Sequence, residues 1–405
     1  MKRIIAFLIS ATLLLSLLPM DVMATEEPEE KAAITTLYVG EVNALENPQG
    51  EGWSFDAESG VLTLDNCDLY EPGTTHIDAY GDAHNAIIYF VGDLTIHLEN
   101  DNYVTNYCSE APESYTSYHA ILADTYTMIV EGEEWDEPSK LSIEGPGNLY
   151  CGLTLPSEAK NWDYLSYSSG ICCNAEGGVD LTGLYGESYL EVWGGLIGGG
   201  RSWIAQAWNT APTFSDSCVV IAYQDIDGTV ENENGYNWNN NDAWLMKVIS
   251  TNAYLNKNGL LMIMDGGNAS GEGWTWENNV LTLSEETEVK AIDFRGGLSE
   301  AKLTLEGDVV LDSRGMGYDA NWDYIPAIKA TCNLEIDTGE YSLTLNHDEY
   351  GYGIRVQQAD LLISGGTVIS STNYDSSIYS EGGNVTVKNA TMITFGEVVL
   401  CDYYY

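Results

Sequence analysis

The sequence predicts an all-β protein: a right-handed parallel β-helix in two repeated modules, each opened by a short N-terminal β cap. Three observations carry this expectation. Gly50-Glu51-Gly52-Trp53-Ser54-Phe55, followed by Val61-Leu62-Thr63-Leu64, returns as Gly271-Glu272-Gly273-Trp274-Thr275-Trp276, followed by Val280-Leu281-Thr282-Leu283. Behind each copy run short apolar segments parted by glycine and polar turns, at a step of about two dozen residues that fits one coil of a stacked architecture. Almost no segment carries the 3.6-residue apolar period of a helix.

Taken in chain order, residues 1–24 hold Lys2 and Arg3, an apolar run from Ile4 to Leu18 and Val22-Met23-Ala24 as a small-residue cleavage site. That is the pattern of a secretory signal peptide, so the mature chain is expected to be secreted, extracellular or associated with the cell surface. No later stretch approaches the length of a membrane span. Residues 25–34 form a short acidic linker, residues 35–250 the first module and residues 251–405 the second.

The second module is the cleaner. Its strand pairs are Ala291-Ile292 with Lys302–Leu305, Ala327-Ile328 with Asn333–Ile336, Gly353-Ile354 with Asp360–Ile363, and Ser377-Ile378 with Asn384–Val387. The lead isoleucines step by 36, 26 and 24 residues, and each strand is expected to pair with its equivalent one coil on. In Leu94-Thr95-Ile96-His97-Leu98 of the first module, alternation sends the aliphatic residues inward and Thr95 and His97 outward. Residues 99–118 and 151–169 read as long loops. The glycine- and asparagine-rich stretches around Gly194–Gly200 and Asp225–Asp242 read as an elaborated end of the first module, flanked by strand-like Cys218–Ile221 and Trp244–Ile249. The chain closes on Asp402-Tyr403-Tyr404-Tyr405 without a cell-wall sorting signal, so either the last coil caps itself or the chain continues.

Charge narrows the partners. The chain has 15 Lys+Arg against 62 Asp+Glu and a formal charge of −47. Nucleic acid and anionic membrane surfaces are poor partners for such a chain. Such a surplus of carboxylate keeps an exported protein soluble, and some of it has the chemistry to gather Ca²⁺. Eight cysteines in a chain of this length do not make a disulfide scaffold, and no CxxC or Cys/His zinc pattern is present. They read as small apolar packing residues.

The candidate binding residues are aromatic. Tyr and Trp number 27 and 11 against 6 Phe, an imbalance that core packing alone does not produce. A flat ring with a polar edge suits stacking on a sugar face, and tyrosine is equally a good residue for the solvent face of a strand. Asn161-Trp162-Asp163-Tyr164 and Asn321-Trp322-Asp323-Tyr324 are identical tetrapeptides placed before a Gly/Ala-Ile strand. Each offers a stacking ring, an amide, a carboxylate and a phenol, suited either to a sugar or to a turn in which Asn and Asp bond the backbone. Trp162, Tyr164, Trp322 and Tyr324 are therefore carbohydrate-binding candidates, with Trp238 and Trp244 as a second platform. Asp163, Asp323, Asp225 and Asp227 are the calcium candidates, the last two from Asp225-Ile226-Asp227-Gly228, which begins like a calcium loop but lacks its later ligands. His84 and His119 are expected on neighbouring coils, within reach of a shared metal or simply packed.

The caps, with Leu37-Tyr38-Val39-Gly40 leading into Gly52-Trp53 and Val61–Asn66, and the coils of form Ala/Gly-Ile then Leu-Thr-Ile, resemble secreted carbohydrate-binding β-helix proteins of clostridia-like bacteria. The likeness spans nearly the whole mature chain. It implies a pectate-lyase-like fold and binding of acidic polysaccharide with calcium instead of cleavage, and it transfers no ligand by position. Two other functions stay open. A polysaccharide lyase or glycoside hydrolase needs a basic residue beside carboxylates, and none of Arg295, Arg314 and Arg355 stands in a recognisable cluster. A structural or adhesive surface protein, with another protein as partner, would expose a strand edge at the last coil.

Overall fold

A computed structural model describes residues 32–401, apart from 78–82, 108–115, 125, 131–132, 138, 155–167, 174–177, 194–200, 207–212, 216, 224–230, 234–244, 296, 318–323, 349, 372–375 and 396. The described chain is all-β, built of short strands in mixed sheets, and contains no helix among the described residues.

From Ala291 on, successive strands visit three sheets in strict rotation, here called C1, C2 and C3. Ala291–Phe294, Ile328–Ala330, Ile354–Gln357, Ser376–Glu381 and Glu397–Cys401 lie in C1; Glu300–Leu305, Asn333–Asp337, Leu361–Ser364 and Val385–Lys388 in C2; Val309–Asp312, Ser342–Asn346, Thr367–Ser371 and Thr391–Thr394 in C3. Every neighbouring pair within this series is parallel. In C1 the register joins Ile292 to Ile328, Ile328 to Ile354 and Ile354 to Ile378, the same isoleucines whose spacing the sequence displays. The C3 strands are a third strand in each round of the three sheets that the pairs read from sequence leave out.

Before Ser250 the chain follows the same rotation through sheets N1, N2 and N3. Ala83–Val91, Thr116–Asp124, Ser169–Cys173 and Arg201–Gln206 stack in parallel in N1, while Val61–Asp65, Leu94–Glu99, Leu141–Glu144 and Val179–Leu181 do so in N2. Asp101–Tyr107 pairs with Asp68–Glu71 and Asn148–Thr154 in N3, followed by Tyr189–Trp193. Residues 99–118 are thus not one long loop, since strands enter from both sides. Leu245–Ser250 and Cys218–Tyr223 close N3 as antiparallel strands.

Inward residues of the two series form two cores, one built on Leu62, Leu64, Ile88, Ile96, Ile121 and Leu190, the other on Trp276, Phe294, Leu303, Ile336, Leu345 and Ile354. The caps are alike in both. Trp53–Asp56 runs antiparallel to Val61–Asp65, and Trp274–Glu277 to Val280–Leu283. Between the cores, Val219 and Ile221 on the outer side of their strand pack with Leu260, Met262, Met264 and Ala291. This contact covers the beginning of the outer face of C1, and the outward Lys329, Arg355 and Tyr379 farther along it are half-buried.

Candidate functional site

Along C1, alternation sets one column of outward residues. Ile328 and Ala330 are buried and turn Lys329 outward; Ile354 and Val356 do the same for Arg355, and Ile378 and Ser380 for Tyr379. The register places Asp293 opposite Lys329, Lys329 opposite Arg355 and Arg355 opposite Tyr379. Parallel strands lie about 4.8 Å apart, so these heads form one file. Asp293 is mostly covered and accepts a hydrogen bond from Arg295 Nε at 2.8 Å.

Aromatic rings flank Arg355. The Arg355 guanidinium lies 5.6 Å from the Tyr352 ring and 5.9 Å from the Tyr379 ring, whose centroids are 4.9 Å apart. Contacts of this kind contribute about 0.5–1 kcal/mol each at exposed sites. Nearby, Tyr324 stacks on Tyr350 with ring centroids 6.3 Å apart, and Tyr350 is 60% exposed. Like charges in register repel, so two neighbouring cations flanked by phenol edges form a surface that favours an anion with hydroxyl groups around it. In a chain of charge −47, that is a local inversion of sign.

Tyr324 is the one predicted binding residue among the described residues. Trp162, Asp163, Tyr164, Asp225, Asp227, Trp238, Trp244, Trp322 and Asp323 lie outside them. Lys329, Arg355, Tyr352 and Tyr379 were missed because their partnership crosses strands distant in sequence. The signal available was the outward position following each lead isoleucine.

The outer face of N3 carries a second aromatic file that sequence reasoning also missed. Tyr103 and Tyr150 are in register and stack at 4.8 Å with planes 10° apart; Tyr150 and Tyr189 are 5.7 Å apart. Rings stacked face to face spend those faces on each other and offer hydroxyl edges to solvent. Burial and neighbouring Asp101, Tyr103 and Glu191 raise the Tyr150 phenol. Lys247 stands 5.8 Å from the Tyr189 ring and 3.5 Å from Glu191. The one cation of this file is thus tied to a carboxylate. Trp193 lies against Gly152, where an added Cβ would come within 2.6 Å of the indole.

The histidines sit apart from both files. Ser117 Oγ is 2.7 Å from His84 Nδ1 and 2.9 Å from His119 Nε2, and the two imidazole centroids are 6.1 Å apart. A hydroxyl thus occupies the point where the two rings converge. Burial lowers His119 to about 3, with His84 adding to the effect, so the ring is neutral. His76 stacks on Tyr89 at 3.8 Å and is lowered to about 4, first by burial. Among the described residues no group of three or more His, Cys, Asp or Glu side chains is gathered to hold a metal ion.

On C2, Lys302 Nζ bonds Glu335 at 2.9 Å and Asp337 at 3.0 Å across the coil. These bonds raise Lys302, Glu335 contributing most, and that to Lys302 lowers Asp337. Lys302 is thereby committed to structure. Comparison with protein-family models, curated proteins and solved structures finds no match to this chain.

Proposed function

We propose that the chain is a secreted or cell-surface carbohydrate-binding protein, a right-handed parallel β-helix in two modules, that binds acidic polysaccharide without cleaving it. The winding is supported by the strict rotation through three sheets, with parallel pairing at each return. Parallel returns to one sheet are right-handed in about 98% of cases. The observation that carries the binding reading is the file of Lys329, Arg355 and Tyr379 beside Tyr352. Guanidinium and ammonium groups pair with uronate carboxylates, and ring edges and faces meet sugar hydroxyls and CH groups.

Calcium belongs to the proposal as a bridging ion at Asp163, Asp225, Asp227 and Asp323. The C1 file needs none, since its own cations meet the anion. A second reading, elimination by a polysaccharide lyase, is favoured by one observation: Lys329 stands between Arg355 and the carboxylate Asp293.

The test is retention of the mature protein on polygalacturonate against neutral galactan, with Ca²⁺ or with chelator, while following unsaturated products. Retention on the acidic polymer without products supports binding. Products would replace this reading with the lyase. Equal retention on both polymers, or on neither, would remove the C1 file as a binding surface.

A further inference from the structure

A hollow of about 360 Å³ is lined by Lys257, Asn258, Lys290, Asp312, Arg314 and Met316. We infer that it binds one small oxyanion-bearing ligand, of the size of a uronate or sulfated monosaccharide. It shares no residue with the C1 file, and the inference stands independently of the polysaccharide reading.

Its composition reverses that of the chain. Where the whole sequence has 15 basic against 62 acidic residues, the lining has three basic residues and one carboxylate. One further carboxylate, Asp348, stands near Arg314 and accepts the Gly315 N–H at 3.0 Å. The three cations are held by specific devices. Asn256 Oδ1 accepts the N–H groups of Asn258 and Leu260, both at 2.9 Å, and shapes the turn that carries Lys257. Gly259, at φ +91°, lets the Lys290 stem lie across it; an added Cβ would stand 2.8 Å from Lys290 Cγ. Arg314 grips Asp312 through Nε at 2.7 Å and Nη2 at 2.5 Å. A guanidinium has five N–H donors in a fixed fork, so this grip orients Arg314 and leaves donors for a ligand. The volume lies at the lower end of small-molecule sites, about 300–1,000 Å³, which suits one sugar ring. Met316 supplies an apolar wall for its CH face.

The test is calorimetric titration of the mature protein with D-galacturonate, D-galactose and sodium sulfate. Galacturonate is expected to bind, galactose to give no heat, and sulfate to compete. Lys290→Gln should weaken galacturonate about tenfold, the scale of one charge-assisted hydrogen bond. Asp348→Asn, which removes an opposing charge near Arg314 while keeping the Asp312 grip and an Oδ1 to accept the Gly315 N–H, should tighten it several-fold, a gain that a misfolded variant cannot produce. Arg355→Gln should leave it unchanged, so failure of the polysaccharide reading and failure of this one are separable. A solvated hollow only, with no galacturonate heat, would overturn the inference. So would binding that ignores sulfate, equal binding of galactose, or a loss confined to Arg355→Gln.

Discussion

Lys329 and Arg355 stand directly opposite one another on adjacent parallel strands, both facing outward, with the Arg355 guanidinium 5.6 Å from the Tyr352 ring. Arg355→Gln keeps a side chain that packs on the rings and removes the charge. Retention on polygalacturonate should fall about 10- to 100-fold, matching the 1.5–3 kcal/mol of a charged hydrogen bond. Lys329→Gln should act in the same direction and less strongly, since Arg presents the planar fork that a carboxylate prefers. Unchanged binding in the double variant, measured at low salt where surface charges are least screened, would refute the role of this file.

The two caps make a paired stability prediction. An added Cβ at Gly50 would lie 2.2 Å from Trp53 Nε1, and at Gly271 it would lie 2.3 Å from Trp274 Nε1. Both indoles are buried, so neither has free room to retreat. Gly50→Ala and Gly271→Ala should each destabilise by about 1–3 kcal/mol, the usual cost of overpacking. Thermal melts of the two variants check this, and a melt unchanged in either would show that the cap yields.

His119 sets a pH dependence. Its folded value, lowered to about 3 mainly by burial, lies below the unfolded value of about 6.5. Between these limits the unfolded chain binds the extra proton, so stability contributed by the neutral ring is present above about pH 6.5 and is lost as the pH falls toward 3. Relief of carboxylate repulsion acts oppositely in acid, so the comparison is with His119→Asn. Urea midpoints of the variant between pH 6.5 and 4 should fall less steeply than those of the parent. Parallel profiles would contradict the assignment.

The cysteines should be inert. Cys67, Cys151, Cys172, Cys173, Cys218 and Cys332 are buried free thiols, and burial raises Cys67 to about 12 and Cys332 to about 11. Reaction needs the thiolate and access to it. Iodoacetamide at pH 8 should leave these six unlabelled in the native protein and label them all in urea, as read by peptide mass spectrometry. Rapid native labelling at Cys67 or Cys332 would show that the coil opens there.

Even without the structure, the amino-acid order determined the all-β character, the twin caps and the C1 register. Ile292, Ile328, Ile354 and Ile378 are true neighbours across parallel strands because a core shared by stacked strands demands a large aliphatic residue at the same point of each, and that demand is written locally. Where the inward residues are polar or few, the signal fades. Asp101–Tyr107 reads as loop because buried Asn102 and Asn106 break its alternation. Asn102 is tolerated inside because it accepts the Cys67 N–H and donates to the Asn148 carbonyl, bonds that cross coils. Thr367–Ser371 and Thr391–Thr394 carry only two aliphatic or thioether residues each. The two outward files were decided by tertiary structure alone. Tyr103 and Tyr150 stack across one coil, as Lys329 and Arg355 meet across another. Turns of unequal length separate the partners in sequence, and only the hydrogen-bond register brings outward side chains of successive coils to within one strand spacing, where their chemistry becomes joint.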